Sequence, residues 1–202
     1  MLRRTLAAVV AFAALAALAP ATGLAARITM RVEGKTQTIF GKAPRTIDAV
    51  NALEALQKAA DVGEFHVGVR ATNFGPYVEQ IGRFPASAES GWVFKLNGAS
   101  PPVGAEAVTL KDGDSVLWYW ADFDQTTFAG PKTLLLEKTS ARCFAAFLQD
   151  DKGARTVAAG VRYWIAGVPR ATVATGRFCL ARRPATLVHV TLDGAVRSNA
   201  LR

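Results

Sequence analysis

Residues 90–122 read SGWVFKLNGASPPVGAEAVTLKDGDSVLWYWAD and hold three of the chain's four tryptophans. Two runs in it, Trp92 to Leu96 and Val116 to Ala121, are apolar and aromatic and are bounded by Gly, Asn and Asp, the pattern of strands flanked by turns. Side chains alternate along a strand, so Trp92, Phe94 and Leu96 share one face, and Val93, Lys95 and Asn97 the other. The lysine marks the second face as the wetter one. In the second run both Val116, Trp118, Trp120 and Leu117, Tyr119, Ala121 are apolar, as in a central strand with neighbours on both edges.

The order G-W-x-F-x-x-N-G, a Pro-containing loop, then L-x-D-G-D-x-V-x-W-Y is carried by Gly91, Trp92, Phe94, Asn97, Gly98, Leu110, Asp112, Gly113, Asp114, Val116, Trp118 and Tyr119. It resembles an exported bacterial domain of unknown function related to the C-terminal domain of transcobalamin and intrinsic factor, and the resemblance spans roughly residues 27–123. It implies a β-grasp fold, a mixed sheet over one helix, and relatives that include ligand-binding modules. In the transcobalamin relatives this small domain covers one face of a corrinoid held mainly by a helical domain, which has no counterpart in the sequence here.

Upstream, Arg3 and Arg4 precede an apolar run ending at Ala19, then Pro20 and the small-residue stretch around Gly23 and Ala25. This is the pattern of a signal peptide over residues 1–25, and it predicts a secreted, extracellular or periplasmic protein with no membrane span after cleavage. Arg27 to Glu33 then alternates, with Ile28, Met30 and Val32 inward and Arg31 and Glu33 outward, and Gly34-Lys35 turns it into Thr36 to Phe40. Pro44 ends the extended run. Thr46 is placed as N-cap of a helix to about Ala60, with Ile47, Val50, Leu53, Leu56 and Ala60 as its buried stripe and Gly63 as its stop. Phe65 to Ala71 reads as a third strand. Thr72 to Ala88, rich in Gly and Pro, reads as a partly irregular excursion.

Downstream, Gly130-Pro131 marks a boundary between residues 26–128 and 132–202. Beyond it, six or so short strands separated by turn residues predict a small β-sandwich. Their order resembles the immunoglobulin-like or prealbumin-like modules of exported bacterial proteins, which serve as spacers or binding surfaces. Cys143 and Cys179, the only cysteines, fall in this half and are expected to form a disulfide in an exported chain. The expected fold class is thus α+β followed by all-β: a β-grasp domain and a small disulfide-closed β-sandwich.

The chemistry points away from an enzyme. His66 and His189 stand in separate expected strands without zinc-ligand spacing, and no nucleophile elbow, P-loop or dinucleotide fingerprint occurs. Asp112/Asp114 and Asp122/Asp124 flank one strand at opposite ends, about 25 Å apart at about 3.3 Å per residue, and cannot share a metal ion. The net charge of +8, or +6 without Arg3 and Arg4, comes from arginines spread over turns and strands, which excludes a concentrated nucleic-acid face. No cofactor is specified. Phe74, Tyr77, Asn97, Pro101, Pro102, Tyr119 and Trp120 remain as candidates for an apolar ligand surface with a few polar groups. The expected function is a non-enzymatic binding module for a small molecule, such as a corrinoid, on the β-grasp face. The alternative is an envelope component that binds another protein.

Overall fold

The computed structural model describes residues 24–127 and 129–202. Residues 1–23, which carry nearly all of the expected signal peptide, lie outside the described residues.

Strand β1 (Ala26–Glu33) is antiparallel to β2 (Thr38–Ala49) and parallel to β7 (Ser115–Asp122), which is antiparallel to β6 (Ser90–Leu96). The sheet order is β2-β1-β7-β6. Helix α1 (Ala52–Gly63) contributes Ala52, Leu53, Leu56 and Ala59 to one core with Ile28, Met30, Val116 and Trp118, and the Trp118 indole donates to the Ala52 carbonyl at 3.2 Å. The residue capping α1 is Asn51, whose side chain accepts from Glu54 N at 2.8 Å. Thr46 and Ile47 lie in β2, which runs past Pro44. An edge strand tolerates proline because its outward N–H needs no partner. A register shift between Met30 and Val32 absorbs residues 41–44, and Gly41 takes φ +73 where a Cβ would strike the Met30 carbonyl.

The strands after the helix do not join this sheet. β3 (Val67–Thr72), β4 (Gly75–Ile81) and β5 (Phe84–Pro85) pair only with one another, through two-residue hairpin loops at 73–74 and 82–83. The expected irregular excursion is therefore regular, because such short loops close locally at low entropic cost.

The second half forms two further sheets. In one, β9 (Cys143–Gln149) pairs β8 (Thr133–Lys138) on one edge, and β10 (Arg155–Val157) and β13 (Arg177–Cys179) on the other. In the other, β11 (Val161–Ile165) lies between β12 (Val168–Val173) and β14 (Val188–Thr191). Leu134, Leu136, Phe144, Val161, Val188 and Val190 form the core of this half. The Cys143–Cys179 disulfide joins residues directly opposite each other on β9 and β13.

The expected fold class is corrected by this pairing. Instead of a β-grasp unit with one mixed sheet over one helix and then a sandwich, the described residues form fourteen strands in four sheets with a single 12-residue helix, a predominantly β protein throughout. The expected wet face of the first sheet is also corrected. Lys95 and Glu33 are 0 % and 1 % exposed, because the second half packs over that face. Val93, Leu117, Tyr119, Ala121 and Phe123 meet Val196 there.

Candidate binding cleft

Polar groups fix how the two halves meet. Lys95 Nζ donates to the Asp150 carbonyl at 2.7 Å, the Gln149 carbonyl at 3.4 Å and Thr133 Oγ1 at 3.3 Å, and stands 3.4 Å from Asp151 Oδ1. Burial lowers its pKa from the ordinary lysine value, and the Asp151 charge opposes that shift. On β1, Glu33 accepts from Arg197 Nε at 3.1 Å, from Arg31 Nη1 at 3.3 Å and from the Thr38 hydroxyl. Burial raises the Glu33 pKa, and the two arginines oppose the rise.

This docking places Asp151, on the turn after β9, beside the sheet residues of the first half. Ser100 N donates to the Asp151 carbonyl at 2.8 Å and the Ser100 hydroxyl to Asp151 Oδ1 at 3.3 Å, so the loop after β6 is tied to the same turn. That loop leaves β6 through Asn97 and Gly98, both at positive φ, which return the chain so that Leu96 and Ala99 exchange two backbone hydrogen bonds.

Between the loop, β4, β6, β7 and the turn lies a cleft of about 370 Å³, within the size range of small-molecule sites. Tyr77, Phe94 and Phe123 are the partly exposed aromatics of its lining; Phe94 stacks at 5.1 Å on Trp118, which is buried in the core, as are Trp92 and Tyr119 behind the lining surface. Pro76, Val78, Pro101, Gly104 and Ala105 complete the apolar part, and Ser100 and Asp151 supply polar groups. The Asp151 carboxylate is half exposed. Burial pushes the Tyr119 phenol far above its ordinary value, with the Asp151 charge acting in the same direction. It is therefore a neutral hydroxyl at physiological pH. Just behind the rim, Glu106 Oε2 is buried with no hydrogen-bond partner among the described residues, and a Cβ at Gly104 would come within 2.7 Å of it. The cleft thus offers apolar surfaces and one carboxylate acceptor, Asp151.

Of the residues expected from sequence, Tyr77, Pro101 and Tyr119 line this cleft together. Pro102 lies in the same loop but not in the lining. Phe74 is 99 % exposed at the tip of the β3–β4 hairpin. Asn97 faces elsewhere: its amide donates to Asp114 Oδ1 at 2.8 Å and accepts from Ser115 N at 2.9 Å, closing the Asp-Gly-Asp turn. Trp120 packs edge-on against Trp92 at 5.5 Å and donates to Asp122. Sequence reasoning did not offer Phe94, Trp118 or Asp151 as site residues. The aromatic pair carried a signal, since both alternate onto one face, but Asp151 reaches the cleft only through long-range docking. A larger cavity of about 570 Å³ lies where β1 and β7 meet β8. Most polar side chains there already hold the fold: Asn97 as above, Arg31 on Glu33, Arg155 on Glu137, and Asn199 on both backbone groups of Leu136.

Among the described residues no helix is long and apolar enough to cross a membrane, and no three His, Cys, Asp or Glu residues are grouped to hold a metal ion. No curated protein matches the chain. Among solved structures, a Ruminococcus gnavus protein described as a "putative metal binding protein" is similar over 49% of this chain and 99% of its own, at 15% identity and a TM-score of 0.38. Haptocorrin in complex with Cbi is similar at 18% identity and a TM-score of 0.42, over 50% of this chain and 26% of haptocorrin, so the chain spans about a quarter of that protein. Residues 49–122, from the end of β2 to the end of β7, match the family model described as a domain of unknown function, DUF4430.

Proposed function

We propose that the protein is a non-enzymatic, exported binding module whose ligand is a small, flat, largely apolar molecule seated in the Tyr77/Phe94/Trp118 cleft. The observation that carries this reading is a cleft of about 370 Å³ lined by the partly exposed aromatics Tyr77, Phe94 and Phe123 and by one half-exposed carboxylate, Asp151. Such a site suits a ring system with a hydrogen-bond donor or positive charge at one edge. A corrinoid is larger than the cleft and would be gripped only along one edge, so a partner would cover the rest. The disulfide supports export to an oxidising compartment.

A second reading, an envelope component that binds another protein, is favoured by Phe74, a large apolar side chain held in solvent at a hairpin tip. Equilibrium dialysis of the purified protein and of Tyr77→Ala against a corrinoid panel with a haem control tests the first reading. Saturable binding lost in the variant supports the cleft; equal binding by both proteins, or none by either, contradicts it.

A further inference from the structure

On the far side of the molecule, Trp164 of β11 and His189 of β14 are cross-strand partners whose rings stack at 5.7 Å and 13°. Their neighbours Tyr163, Ile165, Val188 and Val190 turn into the core of the second half, so the pair stands on the opposite face of the sheet. The Trp164 indole donates to Thr191 Oγ1 at 2.9 Å, which fixes the ring plane and leaves the Thr191 hydroxyl proton free to be donated. Opposite this platform stand the β1–β2 connection and the start of β2, and the space between is a cleft of about 360 Å³. Gln37 and Lys42 enter it from the first half, and Arg197 lies at its edge.

The charge in this cleft is one-sided. Among the described residues no carboxylate lines it. Arg197 and Arg31 share the single buried carboxylate of Glu33, and Lys42 is exposed with no ion pair among the described residues. The charged groups that face His189 are Arg197 and Lys42, and together with burial they hold it at about 4, so the imidazole is neutral at physiological pH. A rigid aromatic platform, hydroxyl and amide side chains around it, and the ammonium of Lys42, which has no ion pair among the described residues, are the requirements of a polar ring carrying one acidic group.

We propose that this cleft is a second binding site, for an acidic sugar of the uronate type, with the sugar ring on the Trp164/His189 stack and its carboxylate toward Lys42 and Arg197. The hydroxyl of Thr191 and the amide of Gln37 meet the sugar hydroxyls. The site is independent of the aromatic cleft and shares no lining residue with it.

The test uses the chain's low histidine count: with only His66 and His189 present, the His189 imidazole signals are readily followed by NMR, and His66 serves as internal control. Sodium glucuronate is titrated into the labelled full protein, with glucose, acetate and benzoate in parallel. The expected result is saturable movement of the Trp164 indole and His189 signals, with the His189 titration midpoint rising from about 4 as the carboxylate arrives and His66 unmoved. Lys42→Gln, an exposed substitution that leaves the fold intact, weakens glucuronate binding about threefold, the scale of one exposed ion pair. Absence of movement at tens of millimolar glucuronate, an equal response to acetate, or a response to benzoate and not glucuronate would each overturn the proposal.

Discussion

The Lys95 ammonium, with no exposed surface, lies 2.7 Å from the carbonyl oxygen of Asp150, 55 residues later in the chain. A lysine of the first sheet thus supplies a donor to the turn that carries Asp151 into the cleft. Removing one partner of a buried polar set leaves the others unsatisfied, which costs more than the set contributes on balance. Lys95→Ala is expected to lower the unfolding free energy by roughly 2–4 kcal/mol, counting the void left by its stem. Lys95→Met keeps the stem and is expected to lose less; urea denaturation of both variants checks the order.

Arg197 and Glu33 tie the other end of the junction. Arg197→Met leaves Glu33 paired with Arg31 alone and takes the Arg197 donors from Glu33 and the Gly34 carbonyl, and a loss of about 1–3 kcal/mol is expected from those part-buried acceptors. Glu33 and Arg197 share a direct hydrogen bond that either substitution removes, so Arg197→Met/Glu33→Gln should be less destabilised than the sum of the single variants, in a double-mutant cycle by chemical denaturation.

The Cys143–Cys179 bond closes a loop of sequence separation 36. Loop-closure entropy puts its contribution at roughly 4 kcal/mol, and the half it closes has a small core. Cys143→Ser/Cys179→Ser should therefore lose much of the signal of the second half's packing at a lower denaturant concentration, read by the near-ultraviolet dichroism of Trp164 and Tyr163.

His189 titrates at about 4 in the folded protein against an ordinary value of 6.5. The unfolded chain takes up a proton first as pH falls, so stability present above pH 6.5 is lost between 6.5 and about 4. With the partial exposure of the ring discounted, the loss is about 1–2 kcal/mol. His189→Gln should flatten the stability profile in that window, as measured by thermal melts across pH.

Alternation along the strands made half of the first core legible. Ile28, Met30, Val32, Trp92, Val116 and Trp118 turn inward as period two requires, and the paired cysteines announced their bond. Lys95 and Glu33 misled because a charge on a strand signals water unless something covers it, and what covers them comes from residues 133–150 and 197, with no local trace. Thr46 carried the chemistry of an N-cap, yet cross-strand pairing of Met30 to Arg45 and Thr29 to Thr46 keeps β2 extended until Asn51. In the cleft, Tyr77, Pro101 and Tyr119 were legible as aromatic and turn residues on or beside the expected strands of the first half. Asp151 was not, since long-range docking alone brings it there.

Tyr77 is 38 % exposed and forms one wall of the cleft, so its truncation should leave folding within about 1 kcal/mol of the parent while removing a ligand-stacking surface. Equilibrium dialysis against corrinoids and haem, with parent and Tyr77→Ala side by side, is the most direct test of the cleft. One saturable site per chain, weakened at least about tenfold in the variant, is the predicted result, about 1.4 kcal/mol of lost contact. Equal binding by both proteins, or none by either at tens of micromolar protein, would contradict it.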